Sequence, residues 1–76
     1  MNDARRKELR KIIEQLDVLH EELESLCEEE ESYMDNMPEN LQTSERYEKA
    51  EAAVSSLQDA IGSLEECVGH IQEAIE

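Results

Sequence analysis

Apolar residues recur along this chain at alternating steps of three and four, and that spacing restricts the fold more than any other feature. One series runs Leu9, Ile12, Leu16, Leu19, Leu23, Leu26, Glu30, Tyr33 and Met37, with Glu30 its only charged member. A second runs Tyr47, Ala50, Val54, Leu57, Ile61, Leu64, Val68, Ile71 and Ile75, with none. Sustained 3-4 spacing is the seam of a left-handed coiled coil. A half-buried strand needs alternation with a period of two, and no stretch sustains it. Residues 54–74 even repeat literally, as Val54-Ser-Ser-Leu-Gln-Asp-Ala60, Ile61-Gly-Ser-Leu-Glu-Glu-Cys67 and Val68-Gly-His-Ile-Gln-Glu-Ala74. Gly62 and Gly69 each weaken a helix interior by about 1 kcal/mol. They either admit another backbone or are simply tolerated.

Between the two series, Pro38 disfavours helix at Met37 and removes a backbone donor. Ser44 is a suitable N-cap, with Thr43 the alternative, and Glu45 and Glu48 follow at the positive end of the helix dipole. Leu41 can pack back on Tyr47 or on the methylenes of Glu48. The expected single domain is therefore an all-α antiparallel coiled-coil hairpin: helix 1 over 4–35, a loop over 36–43, helix 2 over 44–75. A loop this short makes the helices antiparallel neighbours. Pairing Leu9 with Ile75, Leu16 with Val68, Leu23 with Ile61 and Met37 with Tyr47 gives residue numbers that all add to 84. Glu30 then faces Val54 in the one weak layer.

A second stripe flanks each seam, Ile13, His20, Cys27 and Met34 on helix 1 and Ala53, Ala60, Cys67 and Ala74 on helix 2. Faces three positions wide in seven exceed what two helices cover. Seventy-six residues with no Phe or Trp also make a small aliphatic core, and small scaffolds generally need a staple or a partner chain. The expectation is a homodimer, two hairpins forming a four-helix bundle through those flanking residues.

Charge narrows the function classes. Seven Lys and Arg stand against 21 Asp and Glu, a formal charge of −14. Residues 1–11 carry five bases and two acids, so the remaining 65 residues carry a net −17. Binding to a nucleic-acid backbone needs an extended positive surface, so direct nucleic-acid binding is not expected. No apolar run approaches the roughly 20 residues of a membrane span. Two cysteines make no disulfide framework and suit a reducing compartment, so a cytoplasmic protein is expected. The 84 register sets Cys27 and Cys67 ten residues apart along the axis, roughly 15 Å, too far for an intrachain bond.

Metal, cofactor and catalytic signatures are lacking. His20 and His70 lie far apart in the register, and neither has the Glu-x-x-His spacing of inward-facing metal ligands. Glu28-Glu29-Glu30-Glu31 lacks the turn geometry of a calcium loop. No nucleophile-base pair or glycine-rich phosphate loop is present. The expectation is a protein that is not an enzyme and carries no cofactor or metal.

The segment Tyr33-Met-Asp-Asn-Met-Pro-Glu-Asn-Leu-Gln-Thr-Ser-Glu-Arg-Tyr-Glu-Lys-Ala-Glu51 resembles a family of small helical-hairpin proteins encoded by phages and mobile elements of Gram-positive bacteria. The basic first helix and the acidic leucine heptads of the second extend the likeness over nearly the whole chain. Gly62, Gly69 and the two cysteines depart from it. The resemblance implies a phage or prophage setting and no particular activity.

Three functions fit these features. One is an interaction module, a homodimer that binds a host or phage protein through its hairpin end, with Asn36, Pro38, Glu39, Asn40, Gln42 and Arg46 as the candidate surface. A second is an acidic mimic of nucleic acid, a rod about 45 Å long (roughly 30 residues at the helical rise) that would occupy the basic groove of a DNA-binding enzyme. A third is a phage binder of a small phosphorylated host ligand, held by Arg5, Arg6, Lys7 and Arg10.

Overall fold

The computed structural model describes residues 1–41 and 44–76. It is a helical hairpin: α1 spans Asp3–Asp35, a single 3-10 turn covers Glu39–Leu41, and α2 spans Glu45–Ile75. The two helices pack against each other along a rod whose Cα atoms extend 59 × 15 × 12 Å. No helix among the described residues is long and apolar enough to cross a membrane.

Local chemistry accounts for each boundary. Asn2 caps α1, its side-chain oxygen accepting from the Arg5 amide at 2.8 Å. The Asn36 amide closes the other end on the carbonyls of Ser32 and Met34. Pro38 cannot continue the helix, and its carbonyl instead accepts from the Leu41 amide at 2.8 Å. Ser44 then caps α2, accepting from the Tyr47 amide at 3.3 Å, with Glu45 and Glu48 in the first turn. These caps satisfy amides that a helix start leaves without partners. Gln42 and Thr43 lie outside the described residues, and with them the alternative cap and one hairpin-end candidate.

Cross-helix bonds fix the register. Arg6 reaches Ile75, His20 reaches Glu65, and the Cys27 sulfur approaches the Val54 carbonyl. Their residue numbers add to 81, 85 and 81, and those of the Gln58–Glu31 bond to 89, on either side of the 84 expected from the sequence.

The rotation of α1 about its own axis differs from expectation. Ile13, His20 and Met34 are half-buried and Cys27 is only 4% exposed, so this stripe lies in the seam with Leu9, Leu16 and Leu23. Ile12, Leu19, Leu26 and Tyr33, expected in the seam, are 42%, 48%, 56% and 47% exposed. Ile13, His20, Cys27 and Met34 are therefore not free for a dimer face, because α2 covers them. The physical reason is that an apolar face three positions wide has two edges of equal period, so spacing alone cannot choose between them. Polar partners choose: the observed phase brings Arg6 and His20, both in step with Ile13, within bonding distance of α2. On α2 the expected seam is the observed one, with Ala50 and Val54 buried and Leu57, Ile61, Leu64, Val68, Ile71 and Ile75 half-buried.

A Cβ added at Gly62 or Gly69 would meet no atom within 4 Å. Neither glycine admits α1, so within the hairpin both are tolerated rather than required.

Candidate functional site

The hairpin has two long sides of opposite chemistry, set by which residues flank the seam. On one side the flanking positions are polar: Arg10, Asp17, Glu24 and Glu31 on α1 and Gln58, Glu65 and Gln72 on α2. Here Gln58 donates to Glu31 at 3.2 Å, and a shallow groove runs past Cys27, Glu28 and Ile61.

His20 organises the centre of this side. Its Nδ1 lies 2.8 Å from Glu24 and its Nε2 lies 2.9 Å from Glu65 on the opposite helix. With a carboxylate at each nitrogen, the ring when protonated donates twice and ties the helices together. The hydrogen bond to Glu65 raises the His20 pKa above the usual 6.5 and outweighs the opposing effect of partial burial. The negative charges of Glu24, Glu65 and Asp17 add to the rise.

A raised folded-state pKa stabilises the hairpin fully below the unfolded value of 6.5, and that contribution is lost as pH rises through the folded value. Thermal melts followed by circular dichroism are expected to show a midpoint that falls over this window. The fall should be largely absent in His20→Gln. An equal fall in both proteins would show that His20 contributes none of it.

Cys27 is the other perturbed group. Burial pushes its thiol pKa up, and the carboxylates of Glu31 and Glu28 push it further. Its sulfur lies 4.0 Å from the Val54 carbonyl. This is a poorly ionised packing thiol, unsuited to nucleophilic work. Both cysteines are free, and Cys67 is exposed.

The opposite side is apolar. The exposed row Ile12, Leu19, Leu26 and Tyr33 on α1 stands beside Ala53, Ala60, Cys67 and Ala74 on α2, which are also exposed. Tyr33 of the first row and Arg46, seven residues before Ala53 of the second, line one groove, which sets both rows on the same side of the hairpin. The second half of the expected dimer face, on α2, is thus accessible. The α1 row exposed beside it is the one a residue before the row expected there.

The remaining candidates are dispersed. At the hairpin end Asn36, Glu39, Asn40 and Arg46 are exposed, while Met37 is buried beneath the turn. In the basic cluster Arg6 is already engaged. Its Nε donates to the Ile75 carbonyl at 2.9 Å and its Nη1 pairs with Asp3 at 3.0 Å. This places a cation on the C-terminal carbonyls of α2, where the helix dipole favours it. Arg5, Lys7 and Arg10 remain exposed, so Arg6 is a structural member of the set. The sequence held a signal for this role, since Arg6 falls seven residues before Ile13.

Among the described residues no group of three His, Cys, Asp or Glu side chains is arranged to hold a metal ion. No family model matches the chain, and neither curated proteins nor solved structures give a match.

Proposed function

We propose that this chain is a non-enzymatic interaction module that works as a homodimer, two hairpins packed side by side into a four-helix bundle. The observation that carries this reading is the exposed row Ile12, Leu19, Leu26 and Tyr33. Single exposed leucines are ordinary, but a continuous apolar row along a rod marks an interaction surface.

Energetics support it. Among the described residues the buried apolar side chains are Cys27, Met37, Ala50 and Val54, and no large side chain is wholly enclosed. A core that small leaves a chain of this length marginal alone. Dimerisation would cover the leucine row and leave the acidic sides and the two hairpin ends facing solvent, free to meet a host or phage protein. The likeness to phage-encoded hairpins is in keeping with such a partner.

Native mass spectrometry of the gently purified protein tests the reading. The expected mass is twice that of the 8.8 kDa chain, with nothing else bound. A mass equal to one chain would contradict it. A dimer carrying an extra small molecule would move the function toward Arg5, Lys7 and Arg10.

A further inference from the structure

The two rows on the apolar side differ in size. The row on α1 is large, with Ile12, Leu19, Leu26 and Tyr33, and the row on α2 is small, with Ala53, Ala60, Cys67 and Ala74. One chain therefore carries both a ridge and a trough, side by side and of equal length. The rod measures 59 × 15 × 12 Å over its Cα atoms, so its broad side offers on the order of 800 Å², the share each partner gives to a standard stable interface. The fitting occupant is a second copy of this chain.

Resting on the homodimer reading, we infer that the hairpins dock with the α1 ridge of each chain seated in the α2 trough of the other. The two-fold axis runs along the rod, and both hairpin ends lie at the same end of the bundle. Interaxial distance follows the side chains at the contact. Ridge against trough gives the same spacing on both halves of the interface. The alternative, α1 on α1 and α2 on α2, sets leucine against leucine on one half and alanine against alanine on the other, which splays the bundle into a wedge.

Charge favours the same docking. A two-fold axis along the rod keeps every level unchanged. The basic start of each α1, with Arg5 in line with the ridge, then lies over the C-terminal end of the partner's α2, beside Glu73 and Glu76. Cations are stabilised at helix C-termini.

The register makes the contact specific. His20 is bonded to Glu65 within one hairpin, so Leu19 stands level with residues 65–66. With the axis along the rod, Leu19 of one chain inserts between Leu64 and Cys67 of the other. By the same rule Ile12 inserts between Ile71 and Ala74, and Leu26 between Leu57 and Ala60.

Disulfide trapping tests the docking. Wild-type protein treated with diamide is expected to give no covalent dimer, because the two Cys67 residues lie on diagonal helices. Leu19→Cys is expected to give a covalent dimer on a non-reducing gel, and Leu19→Cys with Cys67→Ser is expected to lose it. Cross-linking of wild type through Cys67, or of Leu19→Cys with Cys67→Ser, would overturn the docking in favour of like helix on like. A dimeric Leu19→Cys protein that stays unlinked with its thiols still free would also overturn it. If Leu19→Cys itself weakens the dimer, Ile12→Cys with Ala74→Cys in a Cys67→Ser background asks the same question one layer along. A single-chain mass for the wild type would sink the homodimer reading itself, and is distinguishable from each of these outcomes.

Discussion

Leu19→Glu combined with Leu26→Glu is expected to turn the protein into a single-chain species while leaving it helical at low temperature. Both leucines are about half exposed in the hairpin, so neither substitution opens the seam between α1 and α2. In the bundle both would be covered. The two chains together lose four leucines whose exposed halves would be covered on docking, about 3–6 kcal/mol of apolar burial, and the introduced carboxylates would have to leave water without partners. Together these weaken association on the order of a thousandfold or more, since each 1.4 kcal/mol is about tenfold. Sedimentation equilibrium measures this directly. Val18→Glu is the control: Val18 is 56% exposed but outside both rows, and its substitution should leave the mass unchanged. If the double variant stayed dimeric, the leucine row would not be the interface. If it lost its helicity even in the cold, the hairpin would be too marginal to stand without its partner.

Glu30→Leu is expected to stabilise the protein. Glu30 is half-buried, is the one acidic member of the seam on α1, and shares a groove with the buried Ala50. Its carboxylate makes none of the ion pairs found among the described residues. Arg46 and Lys49 line the same groove without closing on it. A leucine there adds apolar burial of roughly 1 kcal/mol or more and relieves part of the self-repulsion of a chain carrying −14. For a domain of this size about 1 kcal/mol moves the midpoint by roughly 4–8 °C. A lower midpoint for Glu30→Leu would mean that the carboxylate is held by Arg46 or Lys49 in solution, and that the layer is polar by design.

The sequence made the helices, the antiparallel hairpin and the register readable because each had its own local cause. Pro38 ended one helix and Ser44 started the next, while a constant residue sum aligned them. The rotation of α1 was not readable from spacing. Ile12 and Ile13 are both apolar, as are Leu26 and Cys27, so either edge of the broad face satisfies a heptad. The choice was carried by polar residues that a hydrophobic pattern ignores: Arg6 in step with Ile13, and His20 facing Glu65 across the seam. The exposed apolar row on α1 accordingly starts at Ile12 rather than Ile13, while Ala53, Ala60, Cys67 and Ala74 on α2 are exposed as expected. Of the basic cluster, only the structural role of Arg6 became clear once α2 stood beside it.

The homodimer is tested most directly by small-angle scattering, which reports mass and length together. Side-by-side hairpins have twice the mass of the chain and a long dimension close to that of a single hairpin, 59 Å between Cα extremes plus the side chains. Scattering from a single-chain mass, or from a particle of doubled length, would contradict a bundle closed through the leucine row.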